Sequence, residues 1–169
     1  YVHWASAEPT NTTPDKYNWS QADLALGAAK DGCLNMLAVI TGSPSFAYLN
    51  PPTYSEVINS NNLDDFAEFV QALVERYDGD GNSDAPDSPI VNDWEFFNEP
   101  DGISAPNADN WGDHGDLYAA MLAAAYPVVK AANPQAKVVF GGIAYDWWQE
   151  TDEGPFQQQG NEARHHAVQ

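Results

Sequence analysis

Four apolar stretches of this chain have the composition of β-strands. Residues 90–97 are rich in Ile, Val, Trp and Phe, and their apolar side chains do not alternate with polar ones. That pattern predicts a strand buried on both faces, as in a parallel sheet covered by helices. Residues 33–41 and 137–142 predict two further buried strands, and residues 1–4 predict the end of another.

Helical patterns lie between these strands. Residues 20–30 are rich in Ala and Leu, and Ser20 followed by Asp23 predicts a capping box at the start of a helix. Residues 116–132 predict a second, longer helix. A third helix, predicted for residues 63–77, carries an apolar stripe suited to packing against a sheet: Phe66, Phe69, Val70, Leu73, Val74 and Tyr77.

Alternating strands and helices predict an α/β fold with a parallel sheet, because right-handed crossovers connect consecutive strands. Pro100 lacks a backbone N–H and ends the strand at 90–97, which leaves Asn98 and Glu99 at its carboxyl end. In an α/β barrel, catalytic residues lie at that end of the strands. A carboxylate beside an amide, framed by aromatic residues, is the arrangement that a sugar-cleaving acid needs.

Residues 94–100, Trp-Glu-Phe-Phe-Asn-Glu-Pro, resemble the fourth-strand motif of the retaining glycoside hydrolases of clan A, most closely the family 39 type. The resemblance implies a portion of a (β/α)8 TIM barrel with parallel strands and outer helices. It also implies that Glu99 is the general acid/base and that Asn98 hydrogen-bonds the sugar 2-hydroxyl, with no cofactor required. The alternative, in which Glu99 only caps a loop, stays open. We interpret the nearby Asp93 and Glu95 as structural.

The resemblance covers residues 1–156, which correspond to the second to fifth barrel strands, and residues 157–169 stay unassigned. A complete barrel takes about 250 residues, so we expect this chain to begin inside a larger or processed product. Retaining hydrolysis needs two carboxyl groups about 5–5.5 Å apart. The family carries the second one, the nucleophile, at the end of its seventh strand, so we expect it outside this chain.

Aromatic side chains near the predicted catalytic face are candidates for sugar contact, because sugar rings pack their C–H faces on aromatic planes. In the resemblance, Trp4 matches the region after the second barrel strand, and His3 or Trp4 could face the sugar; ordinary packing is the alternative. Further candidates follow the fourth and fifth strands, with a hydrophobic cluster covering the loops as the alternative: Trp111, Tyr145, Trp147 and Trp148.

The chain carries 25 acidic and six basic residues, a net charge of −19. This charge strongly disfavours nucleic-acid binding, which needs Lys and Arg to contact phosphates. No apolar run is long enough to span a bilayer, so we expect no membrane partner. With the resemblance to extracellular β-glycosidases, these features predict a secreted protein whose partner is a polysaccharide or oligosaccharide. Cys33, the only cysteine, is predicted to be a buried small hydrophobe.

Residues 78–84 place oxygen-bearing side chains at alternate positions, like the first half of a calcium loop: Asp78, Asp80, Asn82 and Asp84. The loop lacks the Gly and Glu that an EF-hand needs at its sixth and twelfth positions. A looser calcium site and a solvated turn are therefore both open. The loop precedes the strand that carries Glu99, on the face opposite to the chemistry, so any bound ion would be structural.

The sequence supports two hypotheses for function. The first is a fragment of an extracellular retaining glycoside hydrolase that acts on β-linked glycans, with Glu99 as the general acid/base. The second is a non-catalytic glycan-binding or self-assembling structural protein built from a truncated barrel. An open parallel sheet leaves unpaired edges, so we expect the rest of the barrel or a second copy to cover them. A nucleotide-binding fold is disfavoured because no Gly-rich phosphate loop follows a strand.

Overall fold

The computed structural model describes residues 1–103 and 107–144, and within these ranges the chain forms six strands. They are β1 (Val2–His3), β2 (Leu37–Thr41), β3 (Tyr54–Ser55), β4 (Asp93–Phe96), β5 (Ala108–Asp109) and β6 (Lys137–Phe140). β1, β2, β4 and β6 form one sheet in that order, and every neighbouring pair is parallel. The unassigned segment 157–169 lies outside the described residues.

Helices separate the strands of this sheet. They are α1 (Trp4–Ala7), α2 (Ser20–Asp31), α3 (Leu63–Arg76) and α4 (Gly115–Ala132). α2 lies between β1 and β2 in the chain, α3 between β2 and β4, and α4 between β4 and β6. The sheet follows chain order because a helical crossover joins each strand to the next, which confirms the predicted parallel α/β fold. Across the described residues, none of the helices combines the length and apolar character needed to cross a membrane.

Helix α3 supplies the core face that the sequence pattern predicts. All six residues of the predicted stripe are fully buried. Phe66 packs against Trp4 of α1 and Phe96 of β4, with ring centroids 5.2 Å and 6.2 Å apart. Phe69 stacks on the same Trp4 ring at 5.7 Å. One face of α3 therefore holds the start of the chain and the central strand together.

The predicted position of α2 is correct, but its predicted capping box is wrong. Ser20 is the first helical residue, and the Asn18 side-chain oxygen accepts hydrogen bonds from its backbone N–H and hydroxyl, at 3.2 Å and 2.7 Å. The Asp23 carboxylate instead accepts two hydrogen bonds from the Arg76 guanidinium, at 2.9 Å and 2.8 Å, and one from the Tyr77 hydroxyl at 2.7 Å. A bidentate ion pair with α3 is a stronger partner for Asp23 than a backbone N–H.

Two of the predicted strands are shorter and more exposed than expected. β2 begins at Leu37, four residues after Cys33, and Cys33 lies exposed in the turn after α2 with a left-handed φ of 54°. The prediction that Cys33 is buried is therefore wrong. β6 is exposed at both end residues and half-buried between them, because it has a strand neighbour on one side only within the described sheet.

Strand β4 covers only residues 93–96 of the predicted 90–97, and Ile90 outside it is 49% exposed, but within these bounds the expected burial on both faces is confirmed. Trp94 and Phe96 are fully buried, and Glu95 between them is only 9% exposed. Successive side chains of a strand point to opposite faces, so both faces of β4 are covered.

A two-stranded parallel ribbon, formed by β3 and β5, is not indicated by the sequence pattern. Tyr54 pairs with Ala108, and Ser55 pairs with Asp109. The ribbon joins the loop after β2 to the loop after β4, at the carboxyl edge of the main sheet. Its strands have two residues each, too few for a hydrophobic period to be recognised.

We expect the substitution Asp23→Asn to lower the free energy of unfolding at pH 7 by about 1–3 kcal/mol, because it breaks a partly buried charged hydrogen-bond network. Burial alone would raise the pKa of Asp23, but the hydrogen bonds from Arg76 and Tyr77 outweigh it and hold the pKa below its usual range. A lowered carboxyl pKa stabilises the fold above the unfolded pKa, so the difference between wild type and variant should vanish as pH falls below about 4. Denaturant unfolding at several pH values measures it.

The second ion pair provides a matched control. Lys137 and Asp93 lie 2.9 Å apart, but their side chains are 71% and 37% exposed, against 20% and 25% for Arg76 and Asp23. Asp93→Asn should therefore lower the free energy of unfolding by less than about 1 kcal/mol. Equal losses in the two variants would contradict the importance assigned to the pair between α2 and α3.

Candidate active site

The chain leaves β4 through an uncommon backbone conformation. Phe97 and Glu99 have φ values of 57° and 51°, in the left-handed region that bulky residues rarely adopt. Each such residue costs on the order of 1–3 kcal/mol and persists only where the surrounding structure enforces it. In this turn Asn98 and Glu99 are exposed, whereas Phe97 and Pro100 are buried.

Backbone contacts from both neighbouring strands hold the turn. Phe97 N–H donates to Ile40 O of β2 at 2.7 Å, and Glu99 N–H donates to Gly142 O, just beyond β6, at 2.9 Å. Gly141 passes so close that a Cβ there would lie 2.6 Å from Phe97 O, which is well inside contact distance. A glycine is therefore required at position 141. The turn is held between the ends of β2 and β6.

Tyr118 of α4 also holds the turn after β4, from the side of the helices. Its hydroxyl donates to Phe96 O at 2.7 Å and accepts from Gly141 N–H at 3.0 Å, so one buried oxygen links β4 to the end of β6. Burial raises the pKa of Tyr118, and the charge of Glu95 adds to this shift against the opposing effect of the Gly141 N–H. The hydroxyl therefore keeps the proton that it donates.

Asn98 and Glu99 open onto a cavity of about 510 Å³ at the carboxyl ends of the strands. This volume is within the range of small-molecule sites, roughly 300–1,000 Å³. The lining residues come from the ends of β1, β2 and β4 and from the ribbon region: Tyr1, His3, Thr41, Glu56, Asn98, Glu99, Gly102, Asn110 and Trp111. The structure thus brings the predicted pair Asn98 and Glu99 together with His3 and Trp111.

Trp4 does not line this cavity. Its ring is 1% exposed and packs among three phenylalanines in the core, while its indole N–H donates to the buried Glu8 carboxylate at 2.8 Å. The packing alternative therefore describes Trp4, and its predicted sugar contact is wrong. The reason is that α1 begins at Trp4 and turns the side chain under α3.

Trp111 lines the cavity from a deeply buried position. It is 1% exposed, and its ring packs edge-to-face on Phe97 and Tyr118, with centroids 4.9 Å and 5.4 Å apart. Trp111 therefore supports the strained turn from below as well as bordering the cavity. The other three predicted aromatic contacts, Tyr145, Trp147 and Trp148, lie outside the described residues.

Glu56 is a cavity residue that sequence reasoning missed. It follows β3 directly, and burial raises the pKa of its carboxyl group, opposed by a hydrogen bond from the Tyr54 hydroxyl. Residues 50–62 form a Pro- and Asn-rich loop in the sequence, and no local pattern there indicates a functional carboxylate. Only the long-range pairing of β3 with β5 brings Glu56 to the site.

The two other acidic residues of β4 have structural partners. The Glu95 carboxylate accepts a hydrogen bond from Gly142 N–H at 2.9 Å, at the same residue whose carbonyl holds the turn after β4. Asp93 pairs with Lys137 across the edge of the sheet. These contacts agree with the interpretation of both residues as structural.

Three of the four predicted calcium ligands converge in the loop before β4. Carboxylate oxygens of Asp78, Asp80 and Asp84 all lie within 4.8 Å of one another. Burial raises the pKa of Asp78, and the neighbouring charges of Asp80 and Asp84 contribute to this shift. The fourth residue, Asn82, donates its side-chain amide to Glu75 at 2.6 Å.

Four parallel strands in chain order, helices between them and a cavity at the carboxyl ends define a portion of an α/β barrel. No sequence profile of a known protein family matches the chain, and no curated protein matches it in sequence. Solved structures do resemble it. One is a family 39 glycoside hydrolase from the gut symbiont Bacteroides cellulosilyticus WH2, with 21% identity over 83% of this chain and a TM-score of 0.56.

A glucosidase from Croceicoccus marinus is also similar, with 24% identity over 96% of this chain and a TM-score of 0.57. The chain spans only 25% of the length of the first enzyme and 30% of the second. These similarities confirm the fold prediction: the described chain has the fold of part of a (β/α)8 TIM barrel. The first similarity also confirms, at the level of fold, the resemblance to family 39.

We expect Tyr118→Phe to lower the free energy of unfolding by about 1–3 kcal/mol, because it leaves Phe96 O without its donor and Gly141 N–H without its acceptor inside the fold. Denaturant unfolding measures the loss. Hydrogen exchange locates it, since the amide of Gly141 should exchange faster in the variant.

Tyr126, on the same helix, is the matched control because its side chain is exposed. Tyr126→Phe removes the same oxygen and should change the free energy of unfolding by less than about 0.5 kcal/mol. If Tyr118→Phe were as mild as this control, the hydroxyl could not be holding the turn.

Proposed function

We propose that this chain is part of an extracellular retaining glycoside hydrolase that cleaves β-linked glycans, with Glu99 as the general acid/base. The observation that supports it best is the placement of Glu99 and Asn98 side by side at the carboxyl end of β4, on one cavity. In barrels of this type, that end of the strands carries the chemistry. The fold similarity to two glycoside-cleaving enzymes supports the same reaction class.

In this mechanism the Glu99 carboxylic acid first donates its proton to the oxygen of the scissile glycosidic bond. A second carboxylate attacks the sugar carbon and forms a covalent glycosyl-enzyme intermediate. Glu99, now ionised, takes a proton from a water molecule, and that water releases the sugar. We place the nucleophile outside this chain, at the end of a later barrel strand.

Asn98 and the aromatic residues serve to bind the sugar. The Asn98 side chain, exposed on the cavity beside Glu99, hydrogen-bonds the 2-hydroxyl. His3 borders the cavity from the end of β1. Trp111 also borders it, but with only 1% of its surface exposed, so its role is to support the turn that carries Asn98 and Glu99. Tyr145, Trp147 and Trp148 follow β6 in the chain and remain proposed contacts for the sugar face.

A second candidate is a non-catalytic role in glycan binding or assembly, favoured by exposed apolar side chains at the start of β2 and at the end of the edge strand β6. Leu37, Phe140 and Ile143 are 52%, 54% and 59% exposed. In a closed barrel, neighbouring elements would cover such residues, so the rest of the barrel or a second copy of the chain would do so here.

A structural calcium ion at Asp78, Asp80 and Asp84 is the cofactor we propose, and catalysis does not depend on it. Calcium holds oxygen ligands at about 2.3–2.6 Å, so ligand oxygens on opposite sides of one ion lie up to about 5 Å apart. The spacing of the three carboxylates fits this geometry. Asp84 Oδ1 is buried and has no hydrogen-bond partner among the described residues, which leaves it available to an ion.

If Glu99 is the general acid/base, Glu99→Gln in the full protein should affect substrates with poor and with good leaving groups differently. Natural β-glycans should no longer be cleaved at a measurable rate, because their leaving groups need the proton. Aryl glycosides with good leaving groups should keep most of the first step and accumulate the glycosyl-enzyme. Steady-state rates on both substrates, with pre-steady-state bursts, measure this.

Glu68→Gln is the matched control, because Glu68 is exposed on α3, away from the lining of the cavity. It should leave both rates unchanged. Normal turnover of natural glycans by Glu99→Gln would exclude the acid/base assignment. Binding of glycans without turnover in the wild type would favour the non-catalytic candidate.

Calcium should raise the melting temperature if the aspartate loop binds it. At a calcium concentration of about 100 times Kd, the gain is about 2.7 kcal/mol. Asp84→Asn should remove the gain, whereas Asp87→Asn, at an exposed residue just outside the cluster, should preserve it. Thermal unfolding with and without calcium measures the effect, and an equal melting temperature in both conditions would identify the loop as a solvated turn.

A further inference from the structure

Glu56 contributes a second carboxylate to the cavity that holds Glu99. Its backbone is fixed on both sides: Glu56 N–H donates to Asp109 O of β5 at 3.1 Å, and Ser43 Oγ donates to Glu56 O at 2.7 Å. Together with the pairing of β3 and β5, these bonds position the residue as firmly as a strand residue. A side chain on such a support can hold a ligand in one orientation.

Among the described residues, the Glu56 carboxylate has few of the partners that a structural carboxylate usually has. It forms no salt bridge with residues 1–103 or 107–144, and the Tyr54 hydroxyl is its side-chain hydrogen-bond donor there. A carboxylate offers about four acceptor positions, so most of its capacity stays unused. A partly buried charge with unused acceptors is costly, and such a group in a cavity is suited to a ligand that brings hydroxyl donors.

We propose that Glu56 determines substrate specificity by accepting hydrogen bonds from two hydroxyls of a neutral sugar in the cavity that holds Glu99. The inference rests on the proposed glycosidase function and adds the substrate class to it. Hydroxyl-to-carboxylate bonds are short and charge-assisted, and one carboxylate can receive two neighbouring hydroxyls. The hydrogen bond from the Tyr54 hydroxyl helps to orient the Glu56 carboxylate.

The charges around the cavity define which sugars are accepted. Glu56 and Glu99 are both acidic, and none of the described lining residues is Lys or Arg. A uronic acid would bring a second negative charge next to the Glu56 carboxylate, and like charges at close range disfavour binding. Neutral β-glycosides should therefore be preferred over their uronate counterparts.

The test compares an aryl β-glucoside with the matching aryl β-glucuronide, which differ only in the charged group, together with other neutral aryl β-glycosides. In the full protein, Glu56→Gln should lower kcat/KM on neutral glycosides by about 10- to 100-fold, mainly through KM. It should also lower the ratio of kcat/KM on the neutral glycoside to kcat/KM on the matching glucuronide. Tyr54→Phe should give a smaller loss in the same direction, and Glu68→Gln should give none.

Thermal unfolding separates this role from a structural one. Because burial raises the pKa of Glu56, its charged form is disfavoured in the fold, so Glu56→Gln should leave the melting temperature unchanged or higher at pH 7. A fall in melting temperature with an unchanged neutral-to-uronate ratio would overturn the proposal and identify Glu56 as structural.

A binding experiment tests the role of Glu56 independently of the proposed catalysis. Neutral β-linked oligosaccharides are titrated into Glu99→Gln and into the double variant with Glu56→Gln. A tenfold or greater loss of affinity in the double variant supports the role of Glu56, even if no turnover is found. Equal affinities overturn it, even if Glu99→Gln abolishes cleavage and the proposed function stands.

Discussion

The left-handed turn that follows β4 is the constraint on which the site depends. Two non-glycine residues adopt a conformation there that neither would adopt alone, and four contacts enforce it: Ile40 O, Gly142 O, the tight approach of Gly141, and the Tyr118 hydroxyl. These contacts come from both flanking strands and from a helix. The exposed position of Glu99 and Asn98 is thus a property of the whole parallel sheet.

The helices and the buried aromatic side chains stabilise this turn in different ways. Helix α3 packs aromatic rings against β4 and the start of the chain, which fixes the sheet. Helix α4 provides Tyr118, and the aromatic contacts of Trp111 close the space beneath Phe97. The sheet therefore presents polar groups at its carboxyl edge while most of its buried side chains, Glu95 excepted, are apolar, as expected where strand ends carry chemistry.

The sequence predicted the features that follow from the local periodicity of apolar residues. It failed for features that depend on contacts between residues far apart in the chain. The stripe on α3 and the position of Glu99 after a buried strand follow from periodicity and from Pro100, so both could be predicted. Asp23 also fits a local capping pattern, but Arg76, far away in the sequence, provides a better partner. Glu56 was missed for the same reason, since a two-residue pairing with a distant loop places it.

The ribbon of β3 and β5 links two loops at the carboxyl edge of the main sheet, so that a change of length in one loop affects the other. Each strand of the ribbon supplies the hydrogen-bond partners of the other, and Glu56 depends on Asp109 for its place. A longer or shorter loop on one side alone would break the register and leave backbone groups unpaired. Transfer of substrate preference between barrels of this type would therefore require exchange of both segments together, because each provides backbone hydrogen-bond partners of the other.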